Sequence, residues 1–159
     1  RRRQINPEMQ ERRRMKLSIG IDPGMSGGIA FVPEHGAAWA EKMPETLRDL
    51  WDLLNPYGSS DDYQVFATLE KVHSMPGQGV SSSFKFGQGF GHLEMALTAA
   101  KIPFTYARPQ AWQKHMQCLT GGDKNVSKQR AQQLFPHIKV THAIADALLI
   151  AEYGKQTAK

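Results

Sequence analysis

The chain has 159 residues, 40% hydrophobic and 22% charged, with one cysteine and a net charge of +5. That length suits a single domain with a real core, and the composition is that of an ordinary soluble globule. No apolar run approaches the roughly 20 residues of a membrane helix, and one cysteine excludes an internal disulfide and a cysteine zinc site. A reducing, cytoplasmic setting fits this cysteine usage. The first fourteen residues, RRRQINPEMQERRR, hold six Arg against two Glu. They read as a flexible basic extension ahead of a domain spanning 15–159, either a targeting remnant from a DNA-containing organelle or a DNA-contacting arm. With no long apolar stretch, they are not a secretory signal.

From there the periodicity predicts elements in order. KLSIGI alternates, then runs apolar to Pro23-Gly24, and reads as a strand. GGIAFVP and AAWAEKM follow after short turns and complete an antiparallel meander. PETLRDLWDLLNP carries Leu47, Leu50, Leu53 and Leu54 at helical spacing between a Pro start and a Pro stop. YQVFATLEKV is a β-branched and aromatic strand passing through Glu70. SFKFGQGFGHLEMALTAAK reads as a helix despite its glycines, IPFTYAR as a short strand, and PQAWQKHMQCL and VSKQRAQQLFP as two helices. A last helix is expected from about Thr141 to Tyr153, with Gly154 as its stop. The sum is an α/β layered domain: a mixed five-stranded sheet flanked by helices. The crossover rule lets the fourth strand lie parallel to the first and beside it.

That topology is what makes the acids interesting. It places Asp22 and Glu70 near the same end of adjacent strands, about 4.8 Å apart in strand spacing. A third acid, Asp146, interrupts the apolar run AIADALLIA within HAIADALLIAEYG, six residues before Glu152. An unpaired carboxylate at the end of a buried strand is expensive, so Asp22 needs a cation, a basic side chain or a proton. Gly27 and Gly28 let backbone or a ligand phosphate come close. His142 falls four residues before Asp146, on the same helical face. Oxygen ligands with one imidazole suit Mg²⁺ or Mn²⁺ better than structural zinc.

Charge is segregated along the chain. From Lys16 to Glu70 there are three basic and nine acidic residues; from Lys71 to Lys139 there are nine basic and two acidic. The pattern suggests a basic surface for a polyanion beside an acidic region that holds cations. Lys85, Lys114, Lys124, Lys128 and Arg130 are the candidate phosphate contacts. Phe84, Phe86 and Phe90 form no clean helical stripe and read as core or dimer contacts, with base contact as the alternative. Gly87, Gly89 and Gly91 weaken a helix relative to Ala, which suggests close packing against another helix.

In their order and spacing, IGIDPGMSGGIA, ATLEKVHSMPGQG, SSFKFGQGFGHLEMAL, YARPQAWQKHM and HAIADALLIAEYG resemble the RuvC-type Holliday-junction resolvases. The likeness is to the phage and organellar branch and covers Met15 to about Gly154. It implies an RNase H-like fold, a homodimer, and Mg²⁺-dependent cutting of two strands at a four-way DNA junction. Asp22, Glu70 and Asp146 match the family's metal-binding acids. Its fourth position, an acid in some members and His in others, falls to His142. Three residues after Glu70, where the family often has an aromatic at the crossover, stands His73. Lys128 matches a basic residue at the scissile region, and Lys114 matches less closely. Two Mg²⁺ ions per site are implied, with Mn²⁺ as the alternative. The competing readings are an RNase H-like nuclease for other branched or flap nucleic acids, and a catalytically silent junction-binding protein.

Overall fold

The computed structural model describes residues 14–72, 79–119 and 121–158. Residues 1–13 and His73 lie outside these. The chain runs β1 (Met15–Asp22), β2 (Gly28–Pro33), β3 (Trp39–Lys42), α1 (Leu47–Gly58), β4 (Tyr63–Glu70), α2 (Val80–Ala99), β5 (Phe104–Ala107), α3 (Pro109–His115), α4 (Lys124–Leu134) and α5 (His142–Thr157). The five strands form one mixed sheet in the order β3-β2-β1-β4-β5. β1–β2 and β2–β3 are antiparallel; β1–β4 and β4–β5 are parallel. The expected α/β layering is therefore present, with the fourth strand beside the first. Among the described residues no helix is long and apolar enough to cross a membrane.

Strand alternation divides the core into two layers. On one face Leu17, Ile19 and Ile21 of β1 join Val65, Ala67 and Leu69 of β4 beneath α1 and α2. The opposite face carries α5, with α3 and α4 packed around it. On this second face β1 presents small or polar residues. Ser18 donates a hydrogen bond to the Ala151 carbonyl at 2.7 Å. A Cβ on Gly20 would collide with the Ala147 carbonyl oxygen and the Ala151 nitrogen. Helix α5 thus lies almost directly on the backbone of β1.

Several helix boundaries differ from the sequence expectation: α2 starts at Val80, α3 ends at His115 instead of running on to Leu119, and α4 starts at Lys124. Gly154 does not stop α5; the helix continues to Thr157. Gly154 is there because a Cβ would run into the Thr68 hydroxyl of β4. Pro56 likewise sits inside the last turn of α1 instead of ending it. The helix ends at Gly58, where a Cβ would strike the Ala100 carbonyl just past α2. At its other end Thr46 caps α1, accepting from the Asp49 N–H at 3.1 Å while its hydroxyl donates to the Asp49 carboxylate at 2.6 Å.

Candidate active site

The site begins with register. Ile21 pairs with Leu69 in the parallel ladder, and both point into the layer under α1 and α2. One step further, Asp22 and Glu70 end their strands on the α5 face. Helix α5, drawn onto β1 by Gly20, carries Asp146 in its second turn. Sequence positions far apart are thereby placed at one end of the sheet.

The glycines after Asp22 serve this chain's own backbone. A Cβ on Gly27 would collide with the Asp22 carbonyl oxygen, and one on Gly28 would lie 2.6 Å from the Glu41 oxygen and 2.7 Å from the Ala143 oxygen. Gly28 is the β2 partner of Asp22. Gly24 takes φ +122°, a left-handed turn that admits glycine readily. The loop therefore folds tightly against Asp22 and the start of α5.

The three acids feel one another. Burial, then the charges of Glu70 and Asp146, push the Asp22 carboxyl up to about 8 from an ordinary 3.8, with Lys124 opposing. Glu70 is raised by burial and by Asp146, against a hydrogen bond from Trp112. That bond is direct: the Trp112 indole Nε1–H donates to Glu70 Oε1 at 2.9 Å. Asp146 is raised by burial while Ser127, Lys124 and His142 pull it down. Its Oδ1 is buried without a hydrogen-bond partner.

Among the described residues no three His, Cys, Asp or Glu side chains stand close enough together to hold a metal ion. Glu70 uses one oxygen on Trp112. The donor set nonetheless fits a hard divalent cation. It combines three electrostatically coupled carboxylates with an orphaned buried oxygen, where any cation relieves the burial penalty.

The predicted basic residues separate into groups. Lys124 opens α4 after its Asp123 cap, and its charge reaches both Asp22 and Asp146. Lys128 lies one turn further along α4, half-buried. Arg130 is engaged within the fold: its Nε donates to the Met116 carbonyl at 2.9 Å and its Nη1 to Gln133 at 3.4 Å. Lys114 is exposed in the last turn of α3. Lys85 projects from α2 into a groove that also receives Gly24 and Met25. His142, exposed, starts α5. Sequence reasoning assigned no role to Ser127 or to Trp112, although Trp112 lies within the motif YARPQAWQKHM.

No protein-family model matches the chain, and no curated protein sequence matches it. Solved structures do. T. thermophilus RuvC in complex with a Holliday junction substrate aligns over 91% of this chain and 96% of that one, with a TM-score of 0.57 and 16% identity. A second Thermus thermophilus RuvC structure aligns over 88% and 95%, with a TM-score of 0.52 and 16% identity. The chain thus has the RNase H-like fold of RuvC, and at this identity the likeness establishes the fold alone.

Proposed function

We propose that this chain is a structure-selective DNA endonuclease, a RuvC-type resolvase of the phage and organellar branch, that cuts four-way junctions by divalent-metal-dependent phosphodiester hydrolysis. One observation carries the reading: at the end of the parallel β1–β4 pair the Asp22 carboxyl feels the charges of Glu70 and Asp146, and Asp146 Oδ1 is buried without a hydrogen-bond partner. The solved relative bound to a Holliday junction substrate supports the choice of DNA.

In this reading Asp22, Glu70, Asp146 and His142 would hold two Mg²⁺ ions, with Mn²⁺ as the substitute. When bound, such a pair would supply Lewis-acid stabilisation of the phosphoryl charge and of the leaving oxygen. Asp22, at the end of the central strand, would be the chief carboxylate ligand. His142, exposed at the start of α5, would orient the attacking water or accept its proton. Lys124 and Lys128 bring positive charge to the scissile phosphate, and Lys114 and Lys85 hold the flanking backbone. Hydrolysis by water needs no covalent protein intermediate. Cys118 is accordingly free of a nucleophilic role; it is buried, and burial holds its thiol up at about 11.

Resolution needs two cuts, and a two-fold dimer provides two sites. Helix α2 supports one. From Val80 to Gly91 none of its residues is buried, and Val80 and Phe84 are 89% and 71% exposed. Among the described residues nothing lies within 4 Å of where a Cβ on Gly87, Gly89 or Gly91 would be. The close packing expected of these glycines is therefore absent among the described residues and available to a second copy. Beside them a groove of about 610 Å³ is lined by Met25, Leu47, Phe86 and Leu93.

The deciding experiment offers a matched set of four-way junction, flap, fork and linear duplex to the purified chain in Mg²⁺. Paired, symmetric nicks on the junction, with linear duplex left intact, are the expected outcome. Preferred cutting of flaps or forks would assign the same chemistry to other branched substrates. Tight junction binding without cutting in either metal would identify a silent binder.

A further inference from the structure

The interior of the site contains a hydrogen bond that the proposed chemistry does not use. Trp112 has 0% exposure, and its indole N–H is spent on Glu70 Oε1 at 2.9 Å. The bond follows from local geometry. Ala107, at the end of β5, pairs with Glu70 and accepts from the Lys71 N–H at 2.8 Å. Helix α3 then starts at once with Pro109 in its first turn, so Trp112 arrives over the end of β4.

The identity of the donor matters. A Lys or Arg at this point would neutralise Glu70 and repel a cation, and a His could compete as a ligand. Indole is a neutral, donor-only group on a rigid ring, and here it is locked by complete burial. It occupies one carboxylate oxygen, removes a rotational freedom, and adds no charge of its own.

Resting on the metal-site reading above, we propose that Trp112 is the positioning residue of the site: its indole N–H holds Glu70 so that the other carboxylate oxygen is kept for a divalent ion. Trp112 itself touches neither ion nor DNA. A purely structural Trp112, whose N–H merely needs an acceptor, would affect folding and leave ion binding alone.

The two roles separate in Mn²⁺ titrations of the whole chain, with free ion followed by electron paramagnetic resonance and folding by thermal denaturation. Glu70→Gln and Trp112→Phe are each expected to weaken Mn²⁺ binding by about 10-fold or more. In the double variant Trp112→Phe should add nothing, because its effect passes through Glu70. Should the Phe variant fail to fold, 3-benzothienylalanine at position 112 makes the same comparison, replacing the N–H by sulfur in nearly the same shape. Weakened binding in Glu70→Gln with parental binding in the folded position-112 variant overturns the positioning role and spares the metal site. Parental binding in Glu70→Gln overturns Glu70 as a ligand, and this inference with it.

Discussion

Gly20 and Ala151 leave no room between strand β1 and helix α5: a Cβ on the glycine would overlap the Ala151 nitrogen and press on its Cα. The contact is backbone against backbone, so no side-chain rotamer relieves it. Gly20→Ala must therefore lift α5 from the sheet, carrying Asp146 away from Asp22. The expected result is a loss of about 2–4 kcal/mol in urea unfolding. Cutting by the folded fraction should also fall. A Gly20→Ala protein with parental stability would mean that α5 does not sit this close.

Chemistry is tested at the acids. Asp22→Asn, Glu70→Gln and Asp146→Asn should each lower the rate of junction cutting by at least about 100-fold. Electrophoretic mobility shifts in Ca²⁺ should show junction binding retained. Retained nicking in any one of them removes that residue from the catalytic set.

Without metal, the raised Asp22 carboxyl makes stability depend on pH. A folded-state value of about 8 against an ordinary 3.8 means the folded chain holds this proton more tightly than the unfolded one. The resulting stabilisation is complete below the ordinary value, declines as pH rises, and is gone once pH passes about 8. Glu70 and Asp146 shift in the same direction. In EDTA, then, Tm should drop across this window. Asp22→Asn should flatten the decline and melt higher than the parent at the alkaline end. A parental Tm that rises with pH over the same range contradicts the buried, coupled triad.

The lysines are ranked by position. Lys124 is exposed and its charge acts on Asp22 and Asp146. Lys124→Ala should slow cutting by about 10-fold with Tm within a degree or two of the parent. It should also lower the salt dependence of junction binding by about one unit of slope. Lys114→Ala should change the salt slope alone. Lys128→Ala should weaken cutting more than folding, measured as single-turnover rate beside thermal denaturation. If Lys114→Ala slows single-turnover cutting more than Lys124→Ala, the ranking is reversed.

For the dimer, Phe84→Glu changes an exposed side chain and Gly89→Leu a glycine with open space beside it among the described residues. Both should leave the fold intact and shift sedimentation from dimer to monomer. Gly87→Ala should strengthen the isolated helix by roughly 1 kcal/mol. A parent chain that sediments as a monomer at working concentrations removes the dimer from the proposal.

The candidate acids were legible in the sequence because they break local rules. Asp22 and Glu70 end apolar strands, and Asp146 interrupts an apolar helix; each is conspicuous without knowledge of its neighbours. Alternation with period two then places Asp22 and Glu70 on one face once the strands are parallel. Other features gave a misleading local signal. Gly154 looks like a helix terminator, yet glycine stands there because Thr68 of a distant strand occupies the space. Thr68 is out of reach of any local reading, as are the bonds from Arg130 to the Met116 carbonyl and Gln133.

Strand and helix patterning, the acidic and basic segregation and the three solitary carboxylates are all decided along the chain, because they depend on near neighbours and on the periods of regular structure. What sits beside each carboxylate is decided by contacts between residues remote in sequence. Examples are Trp112 on Glu70, Lys124 near Asp22, and α5 resting on the bare backbone at Gly20. Burial and Coulomb energy depend on distance through space, so the charge state of the acids exists only once the sheet and helices have closed around them.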